Sequence, residues 1–186
     1  MPCLFSLLSA GFSVIVKAGC SINDLLSQEI GISQTYIDDR IQTIFLNGKA
    51  VDDSRSATLE EGAILALSAA MPGMVGSTFR KSGVFASMRS QISHVTDPSV
   101  NLDSQIEVKL KLFNLIAKEL GPAIFQNGIF IDGKLFQNFL LHNSENLKTA
   151  CISIHLNDEK TDIARLLKRN WGNEQISLQI TPEKSS

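Results

Sequence analysis

The sequence predicts an α+β fold divided into two small units, and three observations carry that expectation. Short β-prone runs recur along the whole chain, most clearly where Ile106, Val108, Leu110 and Leu112 alternate with Glu107, Lys109 and Lys111. Between such runs lie segments with apolar residues at helical spacing behind capping residues, for example Ser21 with Asp24 three positions later. A polar stretch from Thr96 to Asp103, containing Pro98, separates the halves and sets the units at residues 1–95 and 100–182.

Taken in order, Leu4 to Leu8 and Phe12 to Lys17 read as two strands joined by Ser9-Ala10-Gly11, a hairpin loop of small residues. Ser21 and Asp24 open a helix whose face is Ile22, Leu25, Leu26 and Ile30, and Gly31 closes it. Ser33 caps a short second helical turn from Gln34 to Arg40. Ile44 to Leu46 form a strand, Asn47-Gly48 a two-residue hairpin turn, and Ala50-Val51 the return. A polar loop from Asp52 to Arg55 follows, and after Glu60-Glu61-Gly62 the run Ile64 to Leu67 makes the next strand. In the second unit, Phe113 to Leu120 reads as a helix stopped by Gly121-Pro122. Asn127-Gly128 and Asp132-Gly133 then read as tight turns around a strand at Ile129 to Ile131. Leu135 to Leu141 is helical, and Ile152, Ile154 and Leu156 alternate as a strand. Ile163, Leu166, Leu167 and Trp171 form a helical stripe closed by Gly172, and Ile176, Leu178 and Ile180 make the last strand.

Composition narrows the function classes. With 44% hydrophobic and 19% charged residues the 186-residue chain is that of an ordinary globular protein. Net charge is −2, and neither half is basic enough for sequence-independent binding to nucleic acid. Cys3, Cys20 and Cys151 are odd in number and lack CxxC spacing, which points to reduced thiols and a cytoplasmic setting. No apolar run reaches the ~20 residues of a membrane helix. Lys17-Ala18-Gly19-Cys20 resembles a lipoprotein cleavage site, but no Lys or Arg precedes the apolar run, so a folded N-terminus is expected.

The order hairpin, helix, turn, strand, Asn-Gly-Lys turn, strand, with "LNGKAV" and "ATLEEGAILALSAAMPGMVG", resembles the β-grasp or ubiquitin-like family over the first 75 or so residues. Within it, the stretch is most similar to the small sulfur-carrier proteins of thiamine and molybdopterin synthesis. The resemblance implies a helix crossing a sheet, but carrier chemistry needs a free C-terminal Gly-Gly. Here the matching positions read Gly73-Met74-Val75-Gly76 and the chain continues to Ser186. "VKLKLFNLIAKELG" resembles the opening strand and helix of the molybdopterin-type carrier, which leaves a second β-grasp-like unit or a generic α+β unit for the second half, the generic unit being the expectation. Leu25 to Leu67 also resembles a small RNA-binding module of ribosomal proteins and pseudouridine synthases. Its second helix would present cations, whereas here it carries Asp38 and Asp39 with only Arg40 positive.

The least ordinary segment is Met71 to Ile92, in which Gly73, Gly76 and Gly83 interleave with Arg80, Lys81 and Arg89. As a ligand site, Gly73, Gly76, Arg80 and Lys81 would hold an anion through backbone amides and cations. As an interface, Val84, Phe85, Met88 and Ile92 repeat at helical spacing behind Ser82. His94, His142 and His155 have no partner at metal-ligand spacing, and no nucleophile motif occurs. Cys20 lies at a helix start, where the dipole could lower its thiol pKa, but a merely buried small residue is the expectation. Trp171 is expected as a core anchor. The expectation is therefore a non-catalytic protein acting through its sheet face and the 71–92 segment, with a protein partner or a second copy. No cofactor, metal, membrane or nucleic acid is expected; anion binding and RNA binding are the alternatives.

Overall fold

The computed structural model describes residues 2–69 and 104–182. It is a mixed α+β structure around a seven-stranded mixed sheet. A 3-10 turn (Pro2–Leu4) leads into α1 (Phe5–Ala10), then β1 (Phe12–Lys17), α2 (Ile22–Asp24) continuing as a π turn (Leu25–Glu29), and α3 (Gln34–Asp39). Next come β2 (Thr43–Leu46), β3 (Lys49–Ala50) and β4 (Ile64–Ser68). After the undescribed residues follow β5 (Gln105–Leu112), α4 (Asn114–Asn127), β6 (Ile129–Asp132) and α5 (Gly133–Ala150). The chain ends with β7 (Ile154–Leu156), β8 (Glu159–Thr161), α6 (Ile163–Lys168) and β9 (Gln175–Leu178).

The strand order is β3-β2-β4-β5-β1-β6-β9, with β7 and β8 forming a separate hairpin. β4 and β5 are parallel, with Leu65 opposite Leu110 and Leu67 opposite Leu112; all other pairs are antiparallel. One sheet thus takes strands from both sides of residues 70–103, and β5 lies between two strands of the first half. The expected boundary at Thr96 to Asp103 falls outside the described residues.

Local signals hold where energy is local. Ser21 and Asp24 form a reciprocal capping box, Asp24 N–H donating to Ser21 Oγ at 3.0 Å. Ser33 Oγ accepts from Tyr36 N–H. Asn47 and Gly48 both take positive φ (50° and 78°), as the tight turn between β2 and β3 requires. Asn157 and Asp158 (φ 51° and 67°) make the corresponding turn between β7 and β8, a hairpin the sequence reading missed.

Three expectations are corrected. Leu4 to Leu8 is helical, not a strand: Leu4, Leu7 and Leu8 bury at helical spacing, and β5 occupies the position beside β1 that the hairpin would have filled. The helix at Phe113 does not stop at Gly121-Pro122 but runs to Asn127. Ile116 and Ala117 before the proline and Ile124 and Phe125 after it all bury, so core packing outweighs the lost hydrogen bond. Gly121 lets α1 pack closely there, a Cβ lying 2.9 Å from the side-chain end Leu8 Cδ1. Asp132-Gly133 is no tight turn. Asp132 caps α5, its Oδ1 accepting from Lys134 and Leu135 N–H, and α5 extends to Ala150, well past Leu141.

The described helices pack into one core with the inward residues of the strands. Val14, Val16, Ile44, Leu46, Leu65, Leu67, Val108, Leu110, Ile129 and Ile131 belong to that side. Every second residue turns away from it. That alternation gives the sheet one face covered by the described helices and another that those helices leave uncovered, on which Ile15, Ile64 and Phe130 are exposed.

Candidate functional site

The open face is built from the outward residues of the five strands β4, β5, β1, β6 and β9. Register places Ile64, Lys109, Ser13, Phe130 and Ser177 side by side in one row across them. Strands are spaced about 4.8 Å apart, so the row spans about 19 Å. Ile15, opposite Glu107, lies one step along. Ile15, Ile64 and Phe130 are 50%, 41% and 40% exposed, uncommon values for large apolar side chains near the middle of a sheet.

Local structure holds the polar members of this face. Ser13 Oγ donates to Glu107 Oε1 at 2.5 Å, Gln175 Nε2 to Glu107 Oε2 at 3.4 Å, and Glu107 N–H to Glu61 Oε2 at 2.9 Å. Glu107 is thereby occupied within the fold. Lys109 and Lys111 extend past Gly11, where a Cβ would meet Lys109 Cγ at 3.0 Å and Lys111 Cε at 3.3 Å. Gly11 has φ +116°, a conformation glycine adopts without strain, and its missing side chain leaves room for the lysine stems. The result is a face on which Ile15, Ile64 and Phe130 stand among Lys17, Lys109 and Lys111.

On the helix side, Ile30, Ile32, Tyr36, Leu120 and Ile124 line a cleft of about 210 Å³. This is smaller than the ~300–1,000 Å³ usual for ligand pockets. Beside it, Tyr36 hydroxyl donates to Glu119 Oε2 at 2.7 Å and Arg40 bonds both Glu119 oxygens, tying α3 to α4. Arg40 first, then Tyr36, holds the Glu119 carboxyl below its usual range. Burial first, then the bond to Glu119, pushes the Tyr36 phenol up. Each group is stabilised in the protonation state it already has near neutral pH, so the trio is a latch rather than an acid–base pair. Arg40, the one cation of the RNA-binding reading, is engaged in it.

Gly73, Gly76, Arg80 and Lys81 of the expected ligand site lie outside the described residues. So do Val84, Phe85, Met88 and Ile92 of the expected interface, and His94. His142 bonds Asn138 O through Nδ1 at 2.7 Å, and His155 is exposed on β7. Among the described residues no three His, Cys, Asp or Glu side chains gather as a metal site. Trp171 is a core anchor: its Nε1 donates to Leu166 O at 3.0 Å, and its ring meets Phe136 edge-on at 5.0 Å. Cys20, half-buried, takes the unactivated role expected of it. Burial, then Asp24 and Glu29, raise its thiol pKa, outweighing the helix start.

Comparison with known proteins is brief. No family model, no curated protein and no solved structure matches this chain. No described helix is long and apolar enough to cross a membrane. The open-face row was missed at the sequence level, although its signal was present: the outward set of each alternating strand. Which strands stand side by side was not legible.

Proposed function

We propose that the chain is a non-catalytic interaction protein, β-grasp-like in its sheet, which engages a protein partner or a second copy through the open face. One observation carries this: Ile15, Ile64 and Phe130 remain exposed between lysines on a sheet face that the described helices leave uncovered. Large apolar side chains kept in water in this arrangement are compensated when a partner removes them from it. The β-grasp reading is supported by the succession β1, α2, β2, Asn47-Gly48 turn and β4. In place of the family's first hairpin strand, β5 stands antiparallel beside β1. Three unpaired cysteines accord with a reducing, cytoplasmic setting.

The test is site-specific photo-crosslinking, with the reactive group placed at Ile15, Ile64 or Phe130 and, as controls, at Lys134 and Lys148 on the helix side. Light scattering then measures the mass in solution. Crosslinks concentrated at the three open-face positions, lost on Phe130→Asp with the fold intact, are expected. Equal labelling at the control positions would sink the reading.

A further inference from the structure

Both ends of the seven-stranded sheet are free edges among the described residues, and the two edges differ. β3 is two residues long and carries Lys49, the brevity and charge that keep an edge from pairing with another chain. β9 is four residues long, Gln175-Ile176-Ser177-Leu178, with no charge, proline or glycine. Among the described residues its backbone partners all lie on β6, so every second residue of β9 points an N–H and a C=O outward. The inward side chains are incompletely covered as well. Ile129 and Ile131 of β6 are 2% and 1% exposed, whereas Leu178 and Ile176 opposite them are only half-buried. Past Leu178 the backbone leaves the edge at once. Gln179 Nε2 donates to Gln126 O at 2.7 Å and Ile180 N–H to Phe125 O at 2.9 Å, which ties the chain to the end of α4.

We propose that β9 pairs with β9 of a second copy, antiparallel about a two-fold axis, joining two seven-stranded sheets into one. Successive residues of a strand face opposite sides, so only a register that sets polar against polar and apolar against apolar keeps both faces matched. Centred on Ser177, that register places Ser177 opposite itself across the axis and Ile176 of each copy opposite Leu178 of the other. The two apolar pairs cover the side chains that β6 leaves half-buried, and no charge meets its like. Centring on Ile176 instead would leave Leu178 unpaired and set Ser177 against Gln175, whose amide already donates to Glu107 at 3.4 Å. A two-fold contact requires a self-complementary surface, and this neutral, alternating strand is one. The pairing uses neither Ile15 nor Ile64, so it stands apart from the open-face reading.

Directly opposite residues of antiparallel strands have Cα atoms about 4.5–5.5 Å apart, within the ~4.4–6.8 Å that a disulfide spans. The full chain carrying Ser177→Cys is therefore oxidised with copper phenanthroline and mapped by mass spectrometry without reductant. A peptide joined to its own copy through position 177 should dominate the dimer fraction, and Lys49→Cys on the other edge should give no such product. By light scattering, the parent's mass should rise with concentration towards that of a dimer. Ser177→Lys sets like charges opposite each other and should hold the chain monomeric while it melts like the parent. Ser177→Thr should still dimerise. So should Ile15→Asp, two strands away on the open face, which separates this contact from an open-face one. A parent that stays monomeric at every concentration would overturn the proposal. So would a crosslink from position 177 chiefly to Cys3, Cys20 or Cys151, equal self-linking of Lys49→Cys, a dimer that survives Ser177→Lys, or one that Ile15→Asp dissolves.

Discussion

Replacing Gly133 with alanine should destabilise the chain by about 2–4 kcal/mol, because the new methyl would meet backbone that cannot step aside. An ideal Cβ at Gly133 lies 2.6 Å from Trp171 O, 3.0 Å from Glu174 O and 3.1 Å from Gly172 O. Gly133 N–H also donates to Glu174 O at 2.7 Å, so relieving the clash weakens that bond too. Overpacking costs about 1–3 kcal/mol and a strained backbone hydrogen bond about 1 kcal/mol more. For a chain of this size each kcal/mol moves the midpoint by about 2–4 °C, which predicts a fall of roughly 5–15 °C in a thermal melt followed by circular dichroism. Gly121→Ala is the matched comparison. Its Cβ would meet Leu8 Cδ1 at 2.9 Å and Phe5 Cε1 at 3.0 Å, side-chain ends that can turn away. Alanine in a helix interior also regains about 1 kcal/mol over glycine, so Gly121→Ala should stay within about 1.5 kcal/mol of the parent. A Gly133→Ala protein melting within about 2 °C of the parent, or above Gly121→Ala, would refute the reasoning.

Further outcomes follow from the same geometry. Trp171→Ala should cost about 3–5 kcal/mol by the same melt, since it empties a site where only 2% of the residue is exposed; a loss under about 1 kcal/mol would mean the ring is no anchor. Glu119, held low by Arg40 and Tyr36, contributes stability above the ordinary carboxylate pKa and loses it as pH falls through its depressed value. The parent's melting temperature should therefore drop more steeply on acidification than that of Glu119→Gln, and parallel curves would count against the latch. Cys20, raised by burial and two carboxylates, should react with a maleimide at neutral pH more slowly than a free cysteine; mass spectrometry of the labelled peptide checks this, and a faster rate would contradict the assignment.

Part of the candidate site was legible from the chain alone and part was not. The alternation of Lys109 and Lys111 with Leu110 and Leu112 already assigned the lysines to one face. Phe130 and Ile15 follow the same rule in their own strands. Their neighbouring places on one face could not be read, because these depend on β5 standing beside β1 and β1 beside β6, pairings between segments far apart in sequence. The sequence therefore pointed to the sheet face and to the segment 71–92 without naming the residues that meet on that face, because each of them is individually ordinary.

By itself the sequence determined the features whose energy lies within a few residues: the box of Ser21 and Asp24, the turn at Asn47-Gly48, the two-residue period of β5. Tertiary structure decided the rest by burial. Leu4 to Leu8 became a helix because another strand took the place beside β1, and Gly121-Pro122 stayed inside α4 because apolar residues on both sides had a core to enter. Asp132 became a cap because α5 started where the sequence suggested a turn. Short apolar runs carry little intrinsic preference, and the area they bury against distant partners outweighs it.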